Sequence, residues 1–527
     1  MGQQQVLIDG DWRAAQATGF FRAENPRTRE HLAEEYPVSG WADCDAALSS
    51  ASAAAAILRR QSPDQVARFL EVYADRIDAC KDELVELAHL ETALPKSPRL
   101  ADAELPRTTL QLRQAAAAAR DGSWAMATID TKGGLRSCLG PIGPVIVFGP
   151  NNFPFAFGSV SGGDFAAAIA AGNPVIAKAN SSHPGTTRRF AVEAAAAAKE
   201  CGLPRGTVQL IYRTSHADGE RFVADPRVGA IGYTGSRSAG LKLKEAADRA
   251  GRPIYLELSS VNPVVILPGA LNERFDDIAQ QFTSSCLMGT GQFCTNPGLV
   301  ILLDDEKSRR FVERIAEQFR QAPVGTLLSR SVEANLAQSV KLLVDAGAKM
   351  VAGDGASAGT GYSFANTLLT VTGKQFLAKP EALQTEAFGN VSLVVMASDL
   401  DDMCCVIEHL EGNLTGCVYS DTIGADDAIY DRVAASLRPK VGRLLNDKMP
   451  TGVAVSPAMN HGGPFPATGH PGFTAVGIPA AMRRFAMLLC YDNVRPGRLP
   501  ENLADKNPNG KLWRSIDGNW SQSDVSS

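Results

Sequence analysis

An open α/β fold with parallel sheets is the architecture that this 527-residue chain predicts. Three observations carry the expectation. From about 45 to 125 the apolar residues recur at helical spacing. After 140, short apolar runs alternate with longer Ala-rich segments. A second region of the same texture runs from about 260 to 450. Strands alternating with helices of such lengths form parallel sheets. A chain this long exceeds one compact core and is expected to form two or three domains.

The elements follow in order. Val66, Phe69, Leu70, Tyr73 and Ile77 fall on one apolar helix face. The alanine runs near 51–56 and 115–119 are good helix formers rather than disordered low complexity. Pro144-Val145-Ile146-Val147-Phe148 reads as a buried strand, and 159–172 as a helix that ends at Gly172. Val175-Ile176-Ala177-Lys178 is a strand, followed by a helix from about 185 to 201. Val208-Gln209-Leu210-Ile211, Gly229-Ala230-Ile231-Gly232-Tyr233 and Ile254-Tyr255-Leu256-Glu257 are three more strands. In the second region the strand candidates are Val264-Val265-Ile266-Leu267, Val300-Ile301-Leu302-Leu303 and Val391-Ser392-Leu393-Val394-Val395. No internal repeat is found. The last thirty residues are polar and rich in Pro, Asn and Gly, which reads as a surface-hugging tail.

Bulk composition narrows the function. The chain is 45% hydrophobic and 21% charged, as soluble globular proteins are. A net charge of -5 with no long Lys/Arg run argues against a nucleic-acid partner. No stretch approaches the ~18 apolar residues needed to span a bilayer. The start, Met1-Gly2-Gln3-Gln4-Gln5-Val6, carries neither the basic nor the apolar region of a signal peptide. No membrane partner and a cytoplasmic location are therefore expected. Ten cysteines are scattered without a CxxC pair, so most are expected to be free thiols.

One cysteine stands in a glycine-rich frame, Gly289-Thr290-Gly291-Gln292-Phe293-Cys294. Glycines let backbone approach a reacting centre. A thiol becomes a nucleophile where its surroundings favour thiolate. Glu257 ends an apolar strand, and strand ends at the carboxyl edge of such sheets face the ligand crevice. Asn152 follows a strand between Pro150 and Pro154, where an amide can donate to a developing oxyanion. Thr234-Gly235-Ser236 closes a strand and opens a helix, which suits a phosphate. Lys178, at another strand end, could bind ribose or phosphate. Each residue also has an ordinary reading. Cys294 could be a buried structural thiol, Glu257 and Lys178 solvated strand ends, Asn152 a turn former and Ser236 a helix cap. No GxSxG elbow, HExxH, clustered His/Cys metal pattern or Walker A sequence is present, so no metal is expected.

Together these residues resemble the aldehyde dehydrogenase superfamily over nearly the whole chain. The likeness rests on Pro150-Asn151-Asn152-Phe153-Pro154, Lys178, Thr234-Gly235-Ser236, Glu257, Gly291-Gln292-Phe293-Cys294 and Glu386-Ala387-Phe388-Gly389, in that order. It implies that Cys294 attacks an aldehyde and Asn152 holds the oxyanion. Hydride would then pass to a nicotinamide cofactor, and Glu257 would activate water against the thioester. Glu386 and Phe388 would position the nicotinamide ribose and ring. The family fold implies a Rossmann-type cofactor domain (1–125 and 142–258) and an α/β catalytic domain (259–480). A small β oligomerisation arm with the tail would take 126–141 and 481–527, giving a homodimer or homotetramer. A thiol esterase without cofactor and a non-catalytic binding protein are the alternatives from other classes.

Two departures from the family pattern are expected to matter. The common Lys-Pro-x-Glu is Lys178-Ala179-Asn180-Ser181 here, and the common Glu-Leu-Gly-Gly is Glu257-Leu258-Ser259-Ser260. Ser181 removes a carboxylate that would repel a 2′-phosphate, and Arg213 could meet that phosphate. NADP is therefore favoured, with NAD also usable. Within the family the chain looks like the branch acting on α-ketoglutaric semialdehyde (2,5-dioxovalerate). Phe153-Pro154-Phe155-Ala156-Phe157-Gly158, Gly162-Gly163-Asp164, Lys178 to Thr187, Glu257 to Ser260 and Asn507-Pro508-Asn509-Gly510 carry that likeness. By resemblance Arg107 faces the substrate tunnel, where it would clamp a carboxylate. Its ordinary reading is a surface arginine paired with Glu104. Phe153, Phe293 and Phe465 would line the same tunnel, which also fits a broader fatty or aromatic aldehyde dehydrogenase.

Overall fold

The structure, a computed structural model, describes residues 2–353 and 359–525. Its first helices obey the predicted spacing. Pro63–Ala79 starts where Ser62 accepts from the Gln65 N–H and Pro63 takes the first turn. It buries Val66, Phe69, Leu70, Tyr73 and Ile77. Helix Leu105–Asp121, preceded by the wider-wound segment Lys96–Glu104, packs along it, and Pro184–Glu200 and Gly163–Ala170 also lie against it. All ten cysteines are free. Among the described residues no helix is long and apolar enough to cross a membrane.

The first sheet has seven strands, in the order 254–257, 230–234, 145–148, 175–178, 208–211, 6–8, 11–13. The first five are parallel; the two N-terminal strands join antiparallel. The chain lays 145–148 first, adds 175–178 and 208–211 on one side, then 230–234 and 254–257 on the other. The sheet therefore reverses direction beside 145–148, and such a switch point opens a ligand crevice at the carboxyl ends. Phe148 registers with Lys178 and Tyr233, and Thr234 with Glu257. Asn152, Lys178, Gly235 and Glu257 are thus delivered to one edge by register alone.

The second sheet runs 349–352, 367–372, 391–397, 299–303, 263–266, 413–419, 441–446, parallel except for its first strand. Its central strands are buried on both faces, as in sheets covered on both sides. A third sheet of five strands combines 128–130 and 135–141 with 486–492, 514–516 and 519–521.

Three expectations change. The predicted helix 159–172 begins only at Gly163 and ends at Ala170. Residues 153–162 fold back on themselves instead, with the Ser161 hydroxyl donating to the Phe155 carbonyl at 2.7 Å. The tail is not merely draped on the surface, since Arg514–Ile516 and Asn519–Ser521 extend the third sheet. Buried Arg514 anchors it by donating to the Ala504, Asp505 and Ser523 carbonyls. The N-terminal strands and the hairpin Ala17–Asn25/Glu30–Ser39 were not foreseen.

Candidate active site

The cysteine frame is a left-handed turn at the end of helix Pro268–Leu287. Gly289, Thr290 and Gly291 have φ of 56°, 59° and 67°. A Cβ at Gly291 would lie 2.0 Å from the Gly389 carbonyl oxygen, so only glycine lets this loop abut the Glu386–Gly389 loop. Gln292 locks the turn: its Oε1 accepts from the Leu328 N–H at 2.8 Å, and its Nε2 donates to the Gly289 and Thr326 carbonyls. The Asn152 amide donates to the Gln292 carbonyl at 3.0 Å, and the Asn262 amide to the Cys294 carbonyl at 2.9 Å.

Glu257 ends an edge strand whose open side is covered by the segment from 461 to 475. There the Leu258 N–H donates to the Ala467 carbonyl and the Gly469 N–H to the Leu256 carbonyl, both at 2.9 Å. That pairing brings in His461, which no motif had marked. Its Nε2 lies 3.0 Å from Glu257 Oε1 and 3.4 Å from Cys294 Sγ. Glu257 and His461 are each 1% exposed. Burial pushes the Cys294 thiol well above its ordinary pKa; Glu257 adds to this and Arg107 opposes it. The resting group is therefore a thiol beside a carboxylate and an imidazole.

The loop after 145–148 is held by Glu104, which accepts from the Phe155 and Ala156 N–H groups at 2.9 and 3.0 Å. Arg99 pairs with the same carboxylate and donates to the Asn152 carbonyl at 2.9 Å. Glu104 is thus committed to Arg99, and Arg107 is not its surface partner. The Arg107 guanidinium lies 5.0 Å from the Phe157 ring and 5.9 Å from the Phe153 ring. Its Nε and Nη2 are buried with no hydrogen-bond partner. Burial lowers its pKa, and the charges of Glu104, Cys294 and Glu257 work against this. Phe153, Phe157, Phe293 and Phe473 form one apolar cluster, with Phe293 edge-on to Phe153 at 5.2 Å.

The cofactor candidates divide between two clefts. Ser181, Ser182 and Arg213 line a cavity of about 880 Å³ with Arg330 and the hairpin residues Arg22, Glu24 and Glu35. Glu24 bonds the Tyr362 hydroxyl and Glu35 pairs with Arg22. Arg213 has no ion pair among the described residues and is exposed. Burial, aided by Arg213, lowers Lys178 to about 8. Glu386 and Phe388 line a second cleft with Ser260, Gly291 and Phe293. Burial raises Glu386 to about 7, and hydrogen bonds from Ser259 and Ser260 work against this. Gly235 donates its N–H to the Glu257 carbonyl, and Ser236 caps helix Arg237–Arg249 by accepting from Ala239.

Residues 12–462 match the family model described as the aldehyde dehydrogenase family. The chain belongs to the aldehyde dehydrogenase family. This dehydrogenase is 40% identical to alpha-ketoglutaric semialdehyde dehydrogenase 2 of Azospirillum brasilense, over 95% of this chain and 97% of that one. It is 36% identical to the alpha-ketoglutaric semialdehyde dehydrogenase of Acinetobacter baylyi, over 92% and 94%. In fold it resembles betaine aldehyde dehydrogenase of Staphylococcus aureus, with a TM-score of 0.80 at 19% identity, covering 93% of this chain and 96% of that one. Aldehyde dehydrogenase C of Pseudomonas syringae, solved with NAD+ and octanal, gives 0.79 at 20%, covering 94% and 98%.

One substrate expectation is corrected in this dehydrogenase. Phe465 is 56% exposed and lies 5.6 Å from the Arg237 guanidinium, outside the aromatic cluster. The turn at Phe465 is tied to Gly412, and Arg237 is held by Glu411, so the ring faces outward. Phe473, 2% exposed, fills the cluster instead. Sequence reasoning also missed His461, Asn262, Gln292, Arg99 and Arg443. Arg443 hydrogen-bonds the Pro450 and Gly452 carbonyls and couples to Cys294. Of these, only Gln292 lay inside a motif already in view.

Proposed function

We propose that this NAD(P)-dependent aldehyde dehydrogenase oxidises a short carboxylated aldehyde, α-ketoglutaric semialdehyde, to 2-oxoglutarate. The observation that carries the reading is Arg107: a buried guanidinium with two unpartnered nitrogens, coupled to Cys294 and walled by Phe153 and Phe157. A buried donor left unmade costs about 1–3 kcal/mol, more when charged. A substrate carboxylate removes that cost and fixes the aldehyde carbon towards the thiol. The two similar semialdehyde dehydrogenases support the same substrate.

The chemistry follows from the residues. Asn152 donates its remaining amide hydrogen to the aldehyde oxygen as Cys294 Sγ bonds the carbon. The thiol proton leaves towards the His461–Glu257 pair. NAD(P)+, when bound, supplies the hydride acceptor that turns the thiohemiacetal into a thioester. Glu257, with one carboxylate oxygen free of partners, then takes a proton from water. That water attacks the thioester, releasing the acid and restoring the thiol.

The residues fit such a cofactor. Lys178, Gly235 and Ser236 stand at the switch-point crevice, with 1–125 and 142–258 as the cofactor domain and 259–480 as the catalytic one. Ser181, Arg213 and Arg330 around one cavity support NADP over NAD. Glu386 and Phe388 serve the nicotinamide side. The sheet built from 126–141 and 481–527 supports a homo-oligomer. Ten free thiols agree with a cytoplasmic location.

Arg107→Met tests the substrate reading. Losing a charge-assisted pair of about 1.5–3 kcal/mol raises KM for α-ketoglutaric semialdehyde roughly 10- to 150-fold, with hexanal little changed. Equal losses for both aldehydes would remove the clamp.

A further inference from the structure

The catalytic thiol stands in a donor set that also suits a metal ion. Cys294 Sγ, His461 Nε2 and one Glu257 oxygen lie within 4.8 Å of one another. They come from 257, 294 and 461, from a strand end, a left-handed turn and a covering loop, so no sequence pattern announces them. Sulfur, imidazole nitrogen and carboxylate oxygen are the ligands zinc prefers. Tetrahedral bonds of zinc's usual lengths space such donors by about 3.3–3.6 Å. The distances here are 3.4 Å from sulfur to nitrogen and 3.0 Å from nitrogen to oxygen. Sulfur and the carboxylate oxygen stand within 4.8 Å of one another, and a side-chain rotation that draws them together closes the cage. Glu257 Oε2 is buried and without a hydrogen-bond partner, which leaves the carboxylate free to take up a cation.

We propose that Cys294, His461 and Glu257 form an inhibitory site for a thiophilic divalent cation, zinc in the first instance. Binding forms a sulfur–zinc bond as the thiol proton leaves to solvent, with no change of oxidation state. The sulfur lone pair that attacks the aldehyde is then engaged, and the carboxylate that activates water is engaged with it. Zinc therefore blocks both halves of the reaction and is reversible by chelation. Arg107 and Arg443 both interact electrostatically with Cys294. Their charge opposes any cation, so a hard ion without sulfur affinity gains nothing here.

The test is Cys294 alkylation by iodoacetamide, followed by mass spectrometry on the whole enzyme, stripped with EDTA and free of added thiols. Partly exposed Cys405, away from the site and from the third sheet, serves as the internal control. Zinc chloride is expected to slow alkylation of Cys294 at least about tenfold, leave Cys405 unchanged and abolish reduced-cofactor formation in parallel; EDTA restores both. Losing even an outer partner of a metal ligand costs 10- to 100-fold in affinity, so His461→Gln and Glu257→Gln should each need about tenfold more zinc for the same protection. Cobalt(II) should give a thiolate charge-transfer band that Cys294→Ser abolishes. No zinc protection in the wild type, equal protection by magnesium, or undiminished protection in both variants would overturn the site. Alkylation needs no aldehyde turnover, so failure here leaves the dehydrogenase reading intact.

Discussion

At the scale of single residues, a half-buried thiol must be made reactive without a standing charge. Burial and Glu257 both hold Cys294 protonated, and Arg107 only partly offsets them. A raised pKa means that the thiolate fraction is small at neutral pH and grows as pH rises. The first-turnover burst of reduced cofactor is therefore expected to quicken with pH through the neutral and alkaline range in stopped-flow traces. A flat or falling profile would place the proton elsewhere. Cys294, Glu257 and Asn152 were legible because each sat at a strand end or in a glycine turn whose chemistry can be read locally. His461 was not, because its meaning depends on a loop from 167 positions away crossing the sheet edge. Phe465 misled for the same reason: an aromatic residue does not announce which way its turn will point it.

At the scale of elements, strand register does most of the work. Parallel pairing sets Lys178 beside Phe148 and Glu257 beside Thr234, and the loops beyond inherit that alignment. These strands were readable as apolar runs bounded by Gly and Pro. The N-terminal strands were not, since three residues such as Val6–Ile8 carry too little pattern to identify. In the proposed reading, the loop after 175–178 carries the cofactor choice through Ser181. Restoring a carboxylate there, as Ser181→Glu, puts a charge near the 2′-phosphate. At about 4 Å and an effective dielectric near 20 the repulsion is ~4 kcal/mol, so kcat/KM with NADP should fall roughly a hundredfold or more while NAD is spared. Parallel loss with both cofactors would mean that Ser181 only shapes the loop.

At the scale of the whole molecule, the third sheet is the part whose purpose the monomer does not explain. Its outer strand Ala486–Asp492 is an open edge with Met487 43% and Leu488 68% exposed. An apolar open edge is a pairing surface. Light scattering is expected to find an oligomer for the wild type and a smaller species for Leu488→Lys; an unchanged mass would locate the contact elsewhere. The fold as a whole was legible from alternation of strand and helix, whereas the tail's part in that sheet was hidden by its polar composition. What unites the molecule is a thiol, a carboxylate and an unpartnered guanidinium gathered where two parallel sheets meet. The most direct measurement is kcat/KM of the intact enzyme for α-ketoglutaric semialdehyde, succinic semialdehyde, hexanal and benzaldehyde with each cofactor. The two acidic aldehydes with NADP should lead, α-ketoglutaric semialdehyde first; hexanal or benzaldehyde matching them would contradict the account.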